Sequence, residues 1–261
     1  FIGAGNMASA ILRGAVGSKA FKPDELCVYD IDASKSDALA KELGVCAART
    51  SEQAIASADA ILLAVKPVAL KAMLADNAAV IKADKPLVIS IAAGQSLDTL
   101  AGLLGFDAPV VRVMPNLNAA VCEAMSGYCC NSLVSDGQKA LAVKLLESFG
   151  EAVEINEGLF PAFDAVSGAG PAFCFMFADA LSRAAVKNGI PRDKAMKIAV
   201  QTVLGSAKYL SRSAEHPWEL IDRVCSPGGI TIEGVAALQE HGFDAAITAA
   251  VDATAEKDKK M

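Results

Sequence analysis

Up to about residue 155 the chain alternates short β-rich runs with helical stretches, and after about Phe160 the β-rich runs stop. The runs "LCVYD", "DAILLAVKP", "PLVISIAAG" and "PVVRVMPN" are continuously apolar rather than alternating, as strands covered on both faces must be. Between the first two lies "SKSDALAKELG", a helical stretch that Gly44 closes. This order predicts an α/β fold with a doubly wound, Rossmann-type parallel sheet. In the second half, prolines stand where helices should begin: Pro171, Pro191 and Pro217. The reading is therefore an N-terminal sheet domain over 1–157 followed by an all-helical domain over 158–261. The helix from Ala172 carries Phe173, Phe175, Met176, Phe177, Leu181 and Val186 on more than one face, so it is expected to be buried in a core or between subunits.

Composition narrows the class. With 261 residues, 53% of them hydrophobic, the chain can bury a sizeable core. Its apolar runs fall short of the roughly 20 residues of a membrane-spanning helix, which predicts no membrane partner and a cytoplasmic location. A net charge of −6, with "KDKK" as the one basic run, argues against nucleic acid. The seven cysteines show no CxxC spacing and lie mostly among apolar neighbours, and there are only two histidines. They read as reduced core residues, with no metal site expected. Phe1 is not an initiator methionine, so the opening strand is expected to begin upstream of it.

The start "FIGAGNMASAILRGAV" places Gly3, Gly5, Asn6, Met7 and Ala8 between a strand stub and a helix in the G-x-G-x-x-G/A form of a dinucleotide turn. One glycine permits the turn, the next admits a pyrophosphate, and the helix N-terminus supplies N–H groups. The same glycines can also make only a tight corner. Asp30 ends the second strand where an acid accepts hydrogen bonds from ribose hydroxyls, the alternative being that Asp30 and Asp32 merely solvate a loop. Asp30 would repel a 2′-phosphate, and Ile31 stands where a phosphate-binding arginine is expected, with Lys35 the nearest cation. The cofactor is read as NAD(P)H with a preference for NADH. Ala64, Val65, Lys66 and Pro67 follow a strand at the carboxyl edge of the sheet, where open α/β folds bind ligands. Asn116 ends the last parallel strand, positioned to orient a nicotinamide carboxamide or a water. Ser226, Pro227, Gly228, Gly229, Ile230 and Thr231 open another helix; they suit an anion cradle or a plain capped start.

Together, "AVKP", "VRVMPNLNAAVCEAMSGY", "DAVSGAGPAFCFMFADALSRAAVKNGIPRDKA" and above all "CSPGGITIEGVAALQEHGF" make the chain resemble pyrroline-5-carboxylate reductases along nearly its whole length. The resemblance implies a Rossmann domain followed by a helical dimerisation domain that interlocks with a second subunit. It also implies hydride transfer from NAD(P)H to the C=N bond of 1-pyrroline-5-carboxylate, giving L-proline, in homodimers that can assemble as decamers of five dimers. Ser226, Gly228, Gly229 and Thr231 are then the residues that cradle the substrate carboxylate. A β-hydroxyacid dehydrogenase would need a lysine where "GAGPAFC" has Cys174. A non-catalytic NAD(P)-binding redox sensor would have no use for the cradle.

Overall fold

The computed structural model describes residues 1–260. Strands β1 (Cys27–Val28) and β2 (Cys46–Ala47) form a parallel pair, and β3 (Ala60–Leu63), β4 (Leu87–Ser90), β5 (Val110–Met114), β6 (Ala124–Cys130) and β7 (Gly150–Glu154) form a five-stranded sheet in that order. Ile2 joins the two by single parallel bridges to Tyr29 and Leu63. Across the sheet the order is therefore β2, β1, the Ile2 stub, β3, β4 and onward, with the strand order reversing at the stub.

Alternate residues of the central strands enter two cores, one on each face. Leu62, Leu87, Ile89, Val111 and Val113 face one core, and Ile61, Leu63, Val88 and Val110 face the other. The first is covered by Ile11, Leu12 and Ala15 of α1 (Asn6–Gly17), Leu39 of α2 (Ala33–Leu43), and Ala142, Leu145 and Leu146 of a later helix. The second is covered by α3 (Ser51–Ile55), α4 (Pro67–Asp84) and α5 (Leu97–Leu104). Burial on both faces explains the unbroken apolar texture of β3 and β4. Gly44 closes α2 in the left-handed conformation, φ +76°.

The sheet departs from the expected all-parallel plan beyond Met114. β6 runs antiparallel to β5, while β7 is parallel to β6. Between β5 and β6 the chain makes only a short 3₁₀ turn over Leu117–Val121, too little for the crossover a parallel neighbour requires. The α6 helix (Asp136–Glu147) supplies that crossover between β6 and β7.

The chain divides into two compact units: Phe1–Gly168 together with the last residues from Ala255, and Ala169–Thr254. After α7 (Phe160–Phe163), the second unit comprises α8 (Gly170–Lys187), α9 (Arg192–Ser211), α10 (Pro217–Val224), α11 (Ile230–Glu240) and most of α12 (Phe243–Asp258). The stretch Glu157–Lys187 contains an 18-residue window of mean hydropathy 1.2 and is long and apolar enough by composition to cross a membrane, a feature the sequence reading passed over. It is interrupted by a π-helical turn over Asp164–Gly168. Phe160, Ala165 and Ala178 are buried, but several of its large apolar residues are not covered within one copy of the chain: Phe175 is 60% and Met176 76% exposed. α10 and α11 bury no residue at all. A helical unit with so little core needs a partner surface. The chain is expected to sediment as an oligomer at micromolar concentration, and a stable monomer would contradict that reading of α8.

Candidate active site

Phe1 to Gly3 lie in the middle of the sheet and are held from both sides. Tyr29 N donates to Phe1 O at 2.9 Å and Gly3 N to Tyr29 O at 2.7 Å; on the other side Ile2 N donates to Leu62 O and Ala64 N to Ile2 O, both at 2.9 Å. At Gly3 the backbone turns with φ +108°, and a Cβ there would sit 2.6 Å from the Ala64 carbonyl oxygen. No other residue fits.

Next in the chain, Ala4 N donates to Asp30 Oδ2 at 2.7 Å, while Asp32 N donates to Asp30 Oδ1 at 2.9 Å. Asp30 thus ties the glycine-rich turn to the end of the neighbouring strand, a role the sequence reading did not give it. Each carboxylate oxygen keeps a further lone pair for an outside donor. Lys35 lies 3.9 Å from Asp32 and Ile31 is 92% exposed, so the nearest cation along the chain sits beside an acid.

The α1 helix starts on Gly5 with no side-chain cap and no acid in its first turn. A Cβ built on Gly5 would meet nothing within 4 Å, and the N–H groups of Asn6 and Met7, in the first turn, have no intrahelical acceptor. Side chains of Asp32, Thr50, Ser96, Ser135 and His216 cap α2, α3, α5, α6 and α10. The α4, α7, α8, α9 and α11 helices start without a side-chain cap, as α1 does, and at Gly5 the glycine N-cap leaves room for an anion. Ala64 and Val65 lie against Gly3, exposed Lys66 precedes α4, and Pro67 opens it. The structure thus brings Gly3, Gly5, Asn6, Met7, Asp30 and Ala64 through Pro67 to one carboxyl edge of the sheet.

Asn116 is placed differently. It is buried, its Nδ2 donates to Ser167 O at 3.0 Å and to Ser167 Oγ at 3.3 Å, and its Oδ1 accepts from Asn118 N at 3.2 Å. Its amide donors are engaged inside the protein, while Oδ1 keeps a further lone pair. Ser167 in turn donates to Met125 O at 3.0 Å. The sequence reading missed this brace, and no local pattern marks two residues that meet across 51 positions. It also missed Glu157, whose Oε1 accepts from Leu97 N at 2.7 Å and from Arg112 Nη1 at 3.0 Å, with Arg112 stacked over Phe160.

In the second unit, Gly228 takes φ +66° and Gly229 N donates to Ser226 O at 2.9 Å, closing a tight turn before α11. Gly229 starts that helix without a side-chain cap, as Gly5 starts α1. Ser226 is exposed and Thr231 half-buried in the first turn, with Glu233 exposed beside them. Both histidines serve helix ends: His216 caps α10 through Nδ1, and His241 Nδ1 lies 2.8 Å from Ala237 O. Among the described residues no group of three His, Cys, Asp or Glu is placed to hold a metal ion. The cysteines correct the core reading, since only Cys129 is buried, while Cys46, Cys122 and Cys174 are exposed.

Comparison with known proteins decides the family. Residues 157–261 match the model described as pyrroline-5-carboxylate reductase dimerisation, and residues 1–94 match that of an NADP oxidoreductase, coenzyme F420-dependent. The pyrroline-5-carboxylate reductase of Escherichia coli K12 is 42% identical over 261 residues, covering 100% of this chain and 97% of that protein. The chain belongs to the pyrroline-5-carboxylate reductase family. Among solved structures, the Coxiella burnetii pyrroline-5-carboxylate reductase superposes with a TM-score of 0.96 at 30% identity, covering 100% of this chain and 96% of its own. The Plasmodium falciparum pyrroline carboxylate reductase, solved with NADP bound, gives 0.85 at 30% identity, with 100% and 96% covered. This chain is accordingly an NAD(P)-dependent oxidoreductase.

Replacing Asp30 by Ala removes a charged acceptor from two backbone N–H groups. It is expected to cost about 1.5–3 kcal/mol in urea denaturation and to weaken NAD(P)H binding by fluorescence titration. An unchanged midpoint and affinity would show that the turn holds itself.

Proposed function

We propose that this chain reduces the C=N bond of 1-pyrroline-5-carboxylate at the expense of NAD(P)H, giving L-proline, an oxidoreduction at a CH–NH group. The observation that carries the reading is the pair of glycine-started, uncapped helices: α1, beside a turn that admits no side chain at Gly3, and α11, beside the Ser226 to Thr231 turn. One suits a dinucleotide pyrophosphate and the other a small carboxylate.

NAD(P)H, when bound, supplies the hydride. Gly3 and Gly5 let the backbone approach the pyrophosphate, and the N–H groups of Asn6 and Met7 face it. Asp30 would accept from the adenosine ribose, and the backbone of Ala64 to Lys66, with Pro67, would border the cofactor. Ile31, and Val68 at 87% exposure, offer apolar surface for a base. Asn116 would act by bracing Ser167, its Nδ2 donors being already engaged there. Ser226 and Thr231 hydroxyls and the backbone at Gly228 and Gly229 would fix the substrate carboxylate and orient the ring. A protonated imine is already electrophilic, so positioning can supply much of the rate without a dedicated acid.

The charge at Asp30, with no free cation beside it, favours NADH over NADPH. Homodimerisation through the exposed apolar helices of the second unit, decamers of five dimers, and a cytoplasmic location complete the proposal.

Thr231→Ala should lower kcat/KM for the imine by on the order of tenfold to a hundredfold, mainly through KM, with cofactor affinity unchanged. Unaltered kinetics would place the carboxylate elsewhere. For Asp30→Ser, the NADH to NADPH ratio of kcat/KM should fall by about tenfold or more, equivalent to ~1.4 kcal/mol. A constant ratio would mean that Asp30 acts on the turn alone.

A further inference from the structure

Cys27 and Cys46 are register partners on the adjacent parallel strands β1 and β2. The flanking hydrogen bonds, Cys46 N to Leu26 O at 2.9 Å and Ala48 N to Val28 O at 3.0 Å, fix that register. Register partners carry their side chains on the same face, on strands roughly 4.8 Å apart, inside the Cα separation that a disulfide bridges. Cys129 and Cys130 make the contrast: consecutive on β6, they point to opposite faces. Cys46 is exposed on the edge strand, and Cys27 is half-buried beside it.

We propose that Cys27 and Cys46 form a dithiol modification site that a small disulfide such as oxidised glutathione converts to an intrachain disulfide, clipping β2 to the strand that carries Asp30. The exposed Cys46 thiolate attacks one sulfur of the oxidant and expels a glutathione thiolate. Cys27 then gives its proton to solvent and attacks the Cys46 sulfur of the mixed disulfide, expelling the second glutathione. The two protein thiols lose two electrons and two protons, and the oxidant is reduced to two thiols. Burial, with Cys46 close by, pushes the Cys27 thiol up to about 11, so Cys46 is the entry point and Cys27 the resolving group. A bridge between two strands at sheet geometry belongs to the exposed, readily reduced kind, which thiol reductants reopen.

The test treats the full chain with oxidised glutathione, removes the reagent, and counts thiols in denaturant against the seven of the untreated protein. Two should be lost and restored by dithiothreitol. Trypsin, cutting after Lys35 and Lys41, puts the two cysteines on separate peptides, which mass spectrometry should find joined. Cys27→Ser should stop at a glutathione adduct on Cys46, while Cys46→Ser should protect Cys27. Seven free thiols after treatment, a different linked pair, a persistent glutathione adduct on Cys46 in the parent chain, or a disulfide joining two copies would each overturn the proposal.

Discussion

The nucleotide-binding half depends on one close approach: the backbone of Gly3 against the carbonyl of Ala64. Because no side chain intervenes, the opening residues can run between Tyr29 on one side and Leu62 with Ala64 on the other, and the two parts of the sheet join through them. The same contact sets where the chain leaves the sheet and enters α1. Asp30 then holds the next residue, Ala4, so the uncapped end of α1 is aimed by the sheet and not by its own loop. A site whose donors are backbone groups needs this kind of external bracing, because it has no side chains to adjust.

The helical half obeys the opposite constraint. It has long, well-started helices and almost no interior: Ala178, Ala195 and Ala199 are its buried hydrophobics, while Phe175, Met176 and Leu204 stand in the open. Small residues where α8 and α9 meet let the helices pack closely, leaving the large ones for an outside surface. That distribution agrees with the dimerisation description of the family model that covers this region.

Much of this was legible in the sequence because it is written locally. Gly44 closes α2, Pro171 and Pro217 open α8 and α10, and the glycine-rich turn sits on a strand stub, all short-range chemistry. The antiparallel turn into β6 was not legible, since its cause is the lack of a crossover rather than any residue pattern. The engagement of Asn116 with Ser167, and of Asp30 with Ala4, was hidden for a related reason: each is a long-range partner choice by a residue whose position alone suggested a ligand. The apolar neighbours of the cysteines pointed to a core that edge strand β2 does not provide for Cys46.

The central claim is that two backbone anion sites, one for a dinucleotide and one for an imino acid, make this chain a reductase of a cyclic imine. Its most direct test is the loss of nicotinamide absorbance when the chain meets 1-pyrroline-5-carboxylate with NADH or with NADPH. The account predicts oxidation that requires the imine and yields L-proline. Cofactor binding without imine-dependent oxidation of either nucleotide would contradict it.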